Sequence, residues 1–435
     1  MRYGAAMRRA WRAVPSCTKT GDMTEGGRPT RGPGAFGAHR AAFGVRGAAL
    51  RGGPTGAFRP LAWMTGSPGT MYTSAEWRAV DRTEAKTLHP YTSLDPSAYW
   101  RTGISDLSPL ELSGIYQPKF NIDKSTKIAA AGSCFAQHIG KQFKGRGYAF
   151  LDKEQAPPML SAGDRSRFGF DIYSARFGNI YSMRQMVQLL RRARGEFTPA
   201  EPAWRDGDLW FDPLRPAIQP GGFTSAAELA ADIEYHLSRV RLLLDEADLF
   251  VFTFGLTEAW MLSADGTALP TCPGTVAGVF DDSKYHFHNF TFSEVMADTL
   301  AFISICREHN PNMTFLFTVS PVPLMATASG RHVLPSTVYS KSVLRAVCGE
   351  VEQNDPAVDY FPSYELIASH PMRAMFFQPN LRSVSPVGVR HVMNIFFDAH
   401  GAGDEAEDQS RAAPAPILDD IDLVCEEEAL EADAQ

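Results

Sequence analysis

The chain of 435 residues is 44% apolar, 11% aromatic and 21% charged, with a formal charge of −7, and those values exclude wholesale disorder, a collagen-like repeat and a disulfide mini-protein. The charge is unevenly spread: residues 1–70 carry ten Arg and one Lys against Asp22 and Glu25, whereas residues 401–435 carry twelve acidic side chains against Arg411. The folded protein is expected between these ends, over 85–400.

The first 70 residues are rich in Gly, Ala and Pro and have almost no apolar periodicity. They read best as upstream DNA translated from a start codon placed too early, with Met64 and Met71 as later starts, or as a disordered segment. A transit peptide and a basic arm are the other readings of such a stretch. No apolar core follows the early arginines as a secretory signal requires. The longest apolar run, about Ala247 to Leu256, is far short of the roughly 20 residues of a membrane span. Six cysteines without paired spacing suggest reduced thiols in a cytosol. With no clustered His motif either, neither a metal nor another cofactor is expected. The acidic tail reads as solvated, although the apolar spacing from Ile417 to Leu430 would suit a short docking helix.

In chain order, His89 to Ile104 has turn formers and aromatics and reads as an ordered lead-in. Ser125 to Ala131 is a short apolar run entering Gly132-Ser133-Cys134, after which Phe135, Ile139 and Phe143 recur every four residues. That pattern is strand, tight turn, amphipathic helix. Helices are predicted over Met183–Arg194, Ala226–Glu246, Ser293–Glu308, Ser340–Asn354 and Pro386–Phe397. Between them lie three continuous apolar runs, Asp248–Phe254, Met313–Val319 and Ala357–Phe361, typical of strands buried on both faces. Helix and buried strand alternating at this spacing predict an α/β fold, a three-layer α/β/α sandwich around a parallel sheet.

Ligands of such sheets sit beyond the carboxyl ends of the strands. There the chain has Gly132-Ser133-Cys134, Gly255-Leu256-Thr257-Glu258, Ser320-Pro321-Val322-Pro323 and Pro362-Ser363. A serine on the first strand-to-helix corner would present its hydroxyl at the sheet edge, near helix-start N–H groups able to hold an oxyanion. Ser133 has that place, with Cys134 as the rival nucleophile and an ordinary N-cap serine as the competing reading. A serine needs a base. His332, His288, His286 and His138 are the candidates, in that order, with Glu258 or Asp282 to orient the ring. Glu258 would equally suit the first turn of a helix. Trp204, Trp210, Phe211 and Pro213 could wall a sugar cleft or pack down as a lid, and Lys341 with Arg345, one helical turn apart, could meet an anionic substrate but reads more simply as a solvated helix face.

The segment Ala131-Gly132-Ser133-Cys134-Phe135-Ala136 resembles the motif that names the GSCFA domain family. Phe177-Gly178-Asn179-Ile180-Tyr181, Phe252 to Trp260, Thr318 to Pro323 and Tyr339-Ser340-Lys341-Ser342 resemble further segments of it, spanning roughly 90–400. That family looks like a divergent branch of the SGNH/GDSL hydrolases. The resemblance implies a flavodoxin-like sandwich and a serine hydrolase or acyltransferase acting on O-acyl esters of small molecules, polysaccharides or glycolipids; no nucleic-acid partner is expected. Ser133 would stand as nucleophile and Gly255 and Thr257 in the Gly-x-Asn-Asp block, with Gly178 and Asn179 supplying the missing amide. Where the resemblance implies a late Asp-x-x-His, this chain reads Arg382-Ser383-Val384-Ser385-Pro386. A carbohydrate-binding or scaffold protein that lost the dyad is therefore the alternative.

Overall fold

The computed structural model describes residues 89–401 together with Leu430, so the expectations for 1–70 and for most of the acidic tail fall outside the described residues. Four strands form the central sheet: β1 (Ile128–Gly132), β4 (Leu249–Phe254), β8 (Thr314–Val319) and β9 (Val358–Tyr360). They pair in that spatial order and all in parallel. Each coincides with a predicted apolar run. Residues of β1, β4 and β9 are buried without exception, which is why those segments show no alternation of polar and apolar residues.

Side chains alternate between two cores. On one face Ala129, Phe250, Phe252, Phe315 and Phe317 meet α3 (Met183–Ala193), α4 (Ala226–Glu246), α5 (Phe292–His309) and α6 (Val333–Asn354). On the other, Ile128, Ala130, Val251 and Leu316 meet α1 (Ala136–Gly145), α7 (Ser363–Ala368) and α8 (Pro386–Ala399). Phe250, Phe302 and Phe315 are among the largest fully buried side chains, each contributing roughly 1.5–3 kcal/mol of burial. The three-layer sandwich is therefore present.

The predicted helices are found, with one extended at its start. The α6 helix begins at Val333, not Ser340, and takes in Pro335. Proline is tolerated there because first-turn N–H groups have no intrahelical acceptor. A second sheet was not legible: β6 (Ala268–Leu269), β5 (Glu258–Leu262) and β7 (Tyr285–Asn289) pair antiparallel in that order. Glu258 thus opens a strand, and the helix-start reading of it is corrected. A hairpin, β2 (Trp204–Asp206) with β3 (Leu209–Phe211), and the short α2 (Ala162–Arg167) complete the regular elements named here. Trp204 is buried with Leu262, Leu269 and Tyr285, with Phe211 packed against that cluster, so these two rings serve the packing of the second sheet. Among the described residues no helix is long and apolar enough to cross a membrane.

The free edge of β1 is covered by chain that returns to it. Ile128 N–H donates to the Ala149 carbonyl, Ser174 N–H to the Ala130 carbonyl and Ile180 N–H to the Gly132 carbonyl. The last bond lays the Phe177-Gly178-Asn179 segment alongside the end of β1, where Ser133 begins the corner.

Candidate active site

Gly132 has φ of 139°, and a Cβ there would lie 2.4 Å from the Thr253 carbonyl oxygen. Only glycine fits this close approach of β1 to β4. The chain then turns sharply: Ser133 N–H donates to Thr253 O at 3.1 Å and Ala136 N–H to Ser133 O at 2.8 Å. Helix α1 starts on Phe135 with no side chain capping it, so Ser133 is not an N-cap. Its hydroxyl is in fact buried, with the residue 2% exposed, and Oγ has no hydrogen-bond partner among the described residues. The expectation of a hydroxyl presented openly at the sheet edge is corrected: neighbouring segments close over the corner.

Two of those segments are visible in the contacts. Gly255 is so close that a Cβ on it would lie 3.0 Å from Ser133 Cβ and 2.9 Å from the Tyr181 carbonyl oxygen. Tyr173 OH donates to the Ser133 carbonyl at 3.2 Å and also reaches Asn179 Oδ1, which Gln137 Nε2 approaches at 3.2 Å. Asn179 Oδ1 accepts from Gln137 Nε2 and shares the one Tyr173 phenolic proton with the Ser133 carbonyl, which orients the buried amide. Gly178, at φ of 67°, makes the turn that brings it there. Ser133, Gly178, Asn179 and Gly255 therefore lie together at this corner. The N–H groups of Gly255 and Leu256 both donate to Tyr181 O at 3.1 Å, so Gly255 serves as a close-packing residue and its amide is already engaged.

The other predicted residues are placed elsewhere. Thr257 donates its hydroxyl to Asn289 Oδ1 at 2.7 Å and accepts nothing from the corner; its N–H goes to Ser340 Oγ at 2.9 Å. Glu258 accepts from Thr327 Oγ1 at 2.8 Å, and burial pushes its carboxyl above the ordinary range. His332 caps α6, its Nδ1 accepting from Leu334 N–H at 3.1 Å. His288 pairs with Glu294 at 2.9 Å, and His286 meets Ser263 at 3.0 Å. His138, whose Nε2 is buried without a hydrogen-bond partner among the described residues, is pushed down to about 4 by burial and by Lys141. Neither His332 nor His288 is brought to Ser133, and Glu258 orients no imidazole.

Cys134 is a buried thiol outside any disulfide, in the apolar cluster with Ile139, Val322 and Val384. Such a thiol is ordinarily inert. At the position of the implied dyad, Ser385 caps α8 by accepting from Gly388 N–H at 3.1 Å, while Arg382 is 9% exposed. Among the described residues no group of His, Cys, Asp and Glu could hold a metal.

Sequence reasoning missed Lys341. It is not on a solvated face: it is 2% exposed and its Nζ donates to the Gly255 carbonyl at 2.6 Å. The signal was present, since Ser340 and Lys341 both fall in the Tyr339-Ser340-Lys341-Ser342 motif.

The model of the GSCFA family matches residues 127–396. No curated protein matches the sequence. Among solved structures, the chain is similar to an acetyl esterase crystallised with acetate ion, at 11% identity and a TM-score of 0.28 over 66% of this chain and 99% of that one. A carbohydrate esterase of family 3 from Talaromyces cellulolyticus gives 11% and 0.24 over 66% and 99%. An acetyl xylan esterase from the rumen bacterium Butyrivibrio proteoclasticus gives 13% and 0.24 over 67% and 65%.

Proposed function

The chain belongs to the GSCFA family, and from that premise we propose that it acts on O-acyl esters of sugar or lipid alcohols, as a serine hydrolase or acyltransferase with Ser133 as nucleophile. The observation that carries this is the Ser133 hydroxyl itself, held just past the end of β1 with no hydrogen-bond partner among the described residues. An unsatisfied buried hydroxyl costs about 1–3 kcal/mol, and a serine kept there is not kept for stability. In the reaction Oγ would attack the ester carbonyl, the Gly178–Asn179 segment would stabilise the oxyanion, and the alcohol would leave. Water or an acceptor alcohol then takes the acyl group from Ser133.

A second reading, non-catalytic binding of acylated glycans, is favoured by two observations: no imidazole among the described residues hydrogen-bonds Ser133 Oγ, and Arg382 and Ser385 stand where the resemblance implies Asp and His. Turnover of p-nitrophenyl acetate and of O-acetylated oligosaccharides separates the two. On the first reading Ser133→Ala lowers kcat/KM by at least about 10³-fold. Glycan binding without turnover, unchanged in Ser133→Ala, would replace it with the second.

A further inference from the structure

We infer that Lys341 takes the part of the missing histidine, accepting the Ser133 proton as the serine attacks and returning it to the leaving alcohol. This rests on the reading of Ser133 as nucleophile. The carrier is a shared neighbour: Gly255 packs its Cα against Ser133 Cβ and offers its carbonyl to Lys341 Nζ at 2.6 Å. One residue therefore touches both the nucleophile and the amine. The helix is fixed at this height by Ser340, whose Oγ accepts from Thr257 N–H two residues beyond Gly255. Lysine's four-carbon stem lets the amine swing between nearby acceptors, and a lysine withdrawn from water gives up its proton more readily than an exposed one. Lys341 is withdrawn to 2% exposure.

The step balances without a co-reactant. The Ser133 proton passes to a neutral Lys341 amine as the Oγ–carbon bond forms; the resulting ammonium gives it to the departing alkoxide oxygen as the ester bond breaks. Water repeats the sequence in deacylation. The cleft that Lys341 lines also presents the titratable groups Arg345, Glu350 and Tyr364, and Tyr181 and Glu258 flank its partner Gly255. Arg345 is neutralised by Glu365, and Glu258 is bonded to Thr327.

The test is the rate at which a fluorophosphonate labels Ser133, followed from neutral to alkaline pH in the wild type, Lys341→Met and Lys341→Arg, with melting temperatures as a fold control. The wild-type rate should rise through one ionisation. Lys341→Met should be slower by about 10²-fold or more and lose that rise, and added methylamine should restore part of the rate. Lys341→Arg keeps a cation beside Gly255 yet accepts no proton, so it should be slow while folded. Wild-type rates and the same pH profile in either folded variant would overturn the role of Lys341 alone. Wild-type protein with no label on Ser133 would overturn both this role and the nucleophile.

Discussion

Asp212→Ala is expected to remove about 3–5 kcal/mol of stability, measured by urea unfolding at neutral pH. Asp212 and Arg215 have side chains 1% and 3% exposed and meet at 2.8 Å. Arg215 also reaches Asp232 at 2.8 Å, and Asp232 holds Arg176 at 2.9 Å. Glu154 closes the network, accepting Arg176 N–H at 2.6 Å and His236 Nδ1–H at 2.6 Å. Removing Asp212 leaves Arg215 with Asp232 as its remaining carboxylate partner and leaves Arg192 without the Asp212 charge beside it, so the buried cluster keeps more guanidinium than carboxylate charge, and that penalty exceeds the worth of the pair itself.

The carboxylates set the sign of the pH dependence. Burial raises Asp212, but Arg215 and Arg192 more than offset it and hold it low; burial likewise opposes His236 and Arg215 at Glu154, which ends at about 2. Groups depressed in the fold stabilise it above their unfolded pKa and lose that contribution as pH falls through the folded one. For Glu154 the window runs from 4.5 down to about 2. Asp212→Ala should therefore flatten the acid limb as well as lower the plateau. A loss under about 1 kcal/mol would mean that the network is solvated. The clamp also bears on the site, because it pins Arg176 at N–H, carbonyl and guanidinium just before Gly178 and Asn179.

Installing the dyad, Arg382→Asp with Ser385→His, is expected to raise ester turnover on the order of 10²-fold, the low end of what a positioned general base supplies. Val384, between these positions, packs in the same cluster as Cys134 and Val322, so the loop before α8 and the Ser133 corner share one core. Losing the Ser385 cap should lower stability by about 1 kcal/mol, which leaves the fold intact. In this background Lys341→Met should do less harm than in the wild type. No gain in a folded double variant would show that the loop does not address the Ser133 hydroxyl.

The sandwich was readable because its strands are buried on both faces: Leu249–Phe254 and Thr314–Val319 are apolar at nearly every position, and the helices between them carry apolar faces. The second sheet was not. Its strands are short, and Tyr285–Asn289 alternates histidine with aromatics in a way that suggests a histidine cluster as easily as an edge strand. The corner was readable from Gly132-Ser133, and the Gly178–Asn179 segment from its motif. The partners of histidines were not, since His332 is used by a helix start lying beyond a proline and His288 by Glu294 in the next element. The network around Arg215 draws on residues 154, 176, 212, 232 and 236 from separate segments, which no local periodicity connects. Lys341 was misjudged because its spacing with Arg345 describes one helix face, and only the tertiary fold shows that the Lys341 end of that face is buried under Gly255.

The most direct measurement is peptide mapping by mass spectrometry after the folded chain reacts with a fluorophosphonate. A single label on the peptide carrying Ser133, absent from Ser133→Ala, is the result expected of a nucleophile at that corner. Label on another serine, on Cys134, or nowhere in protein that turns over an ester would contradict it.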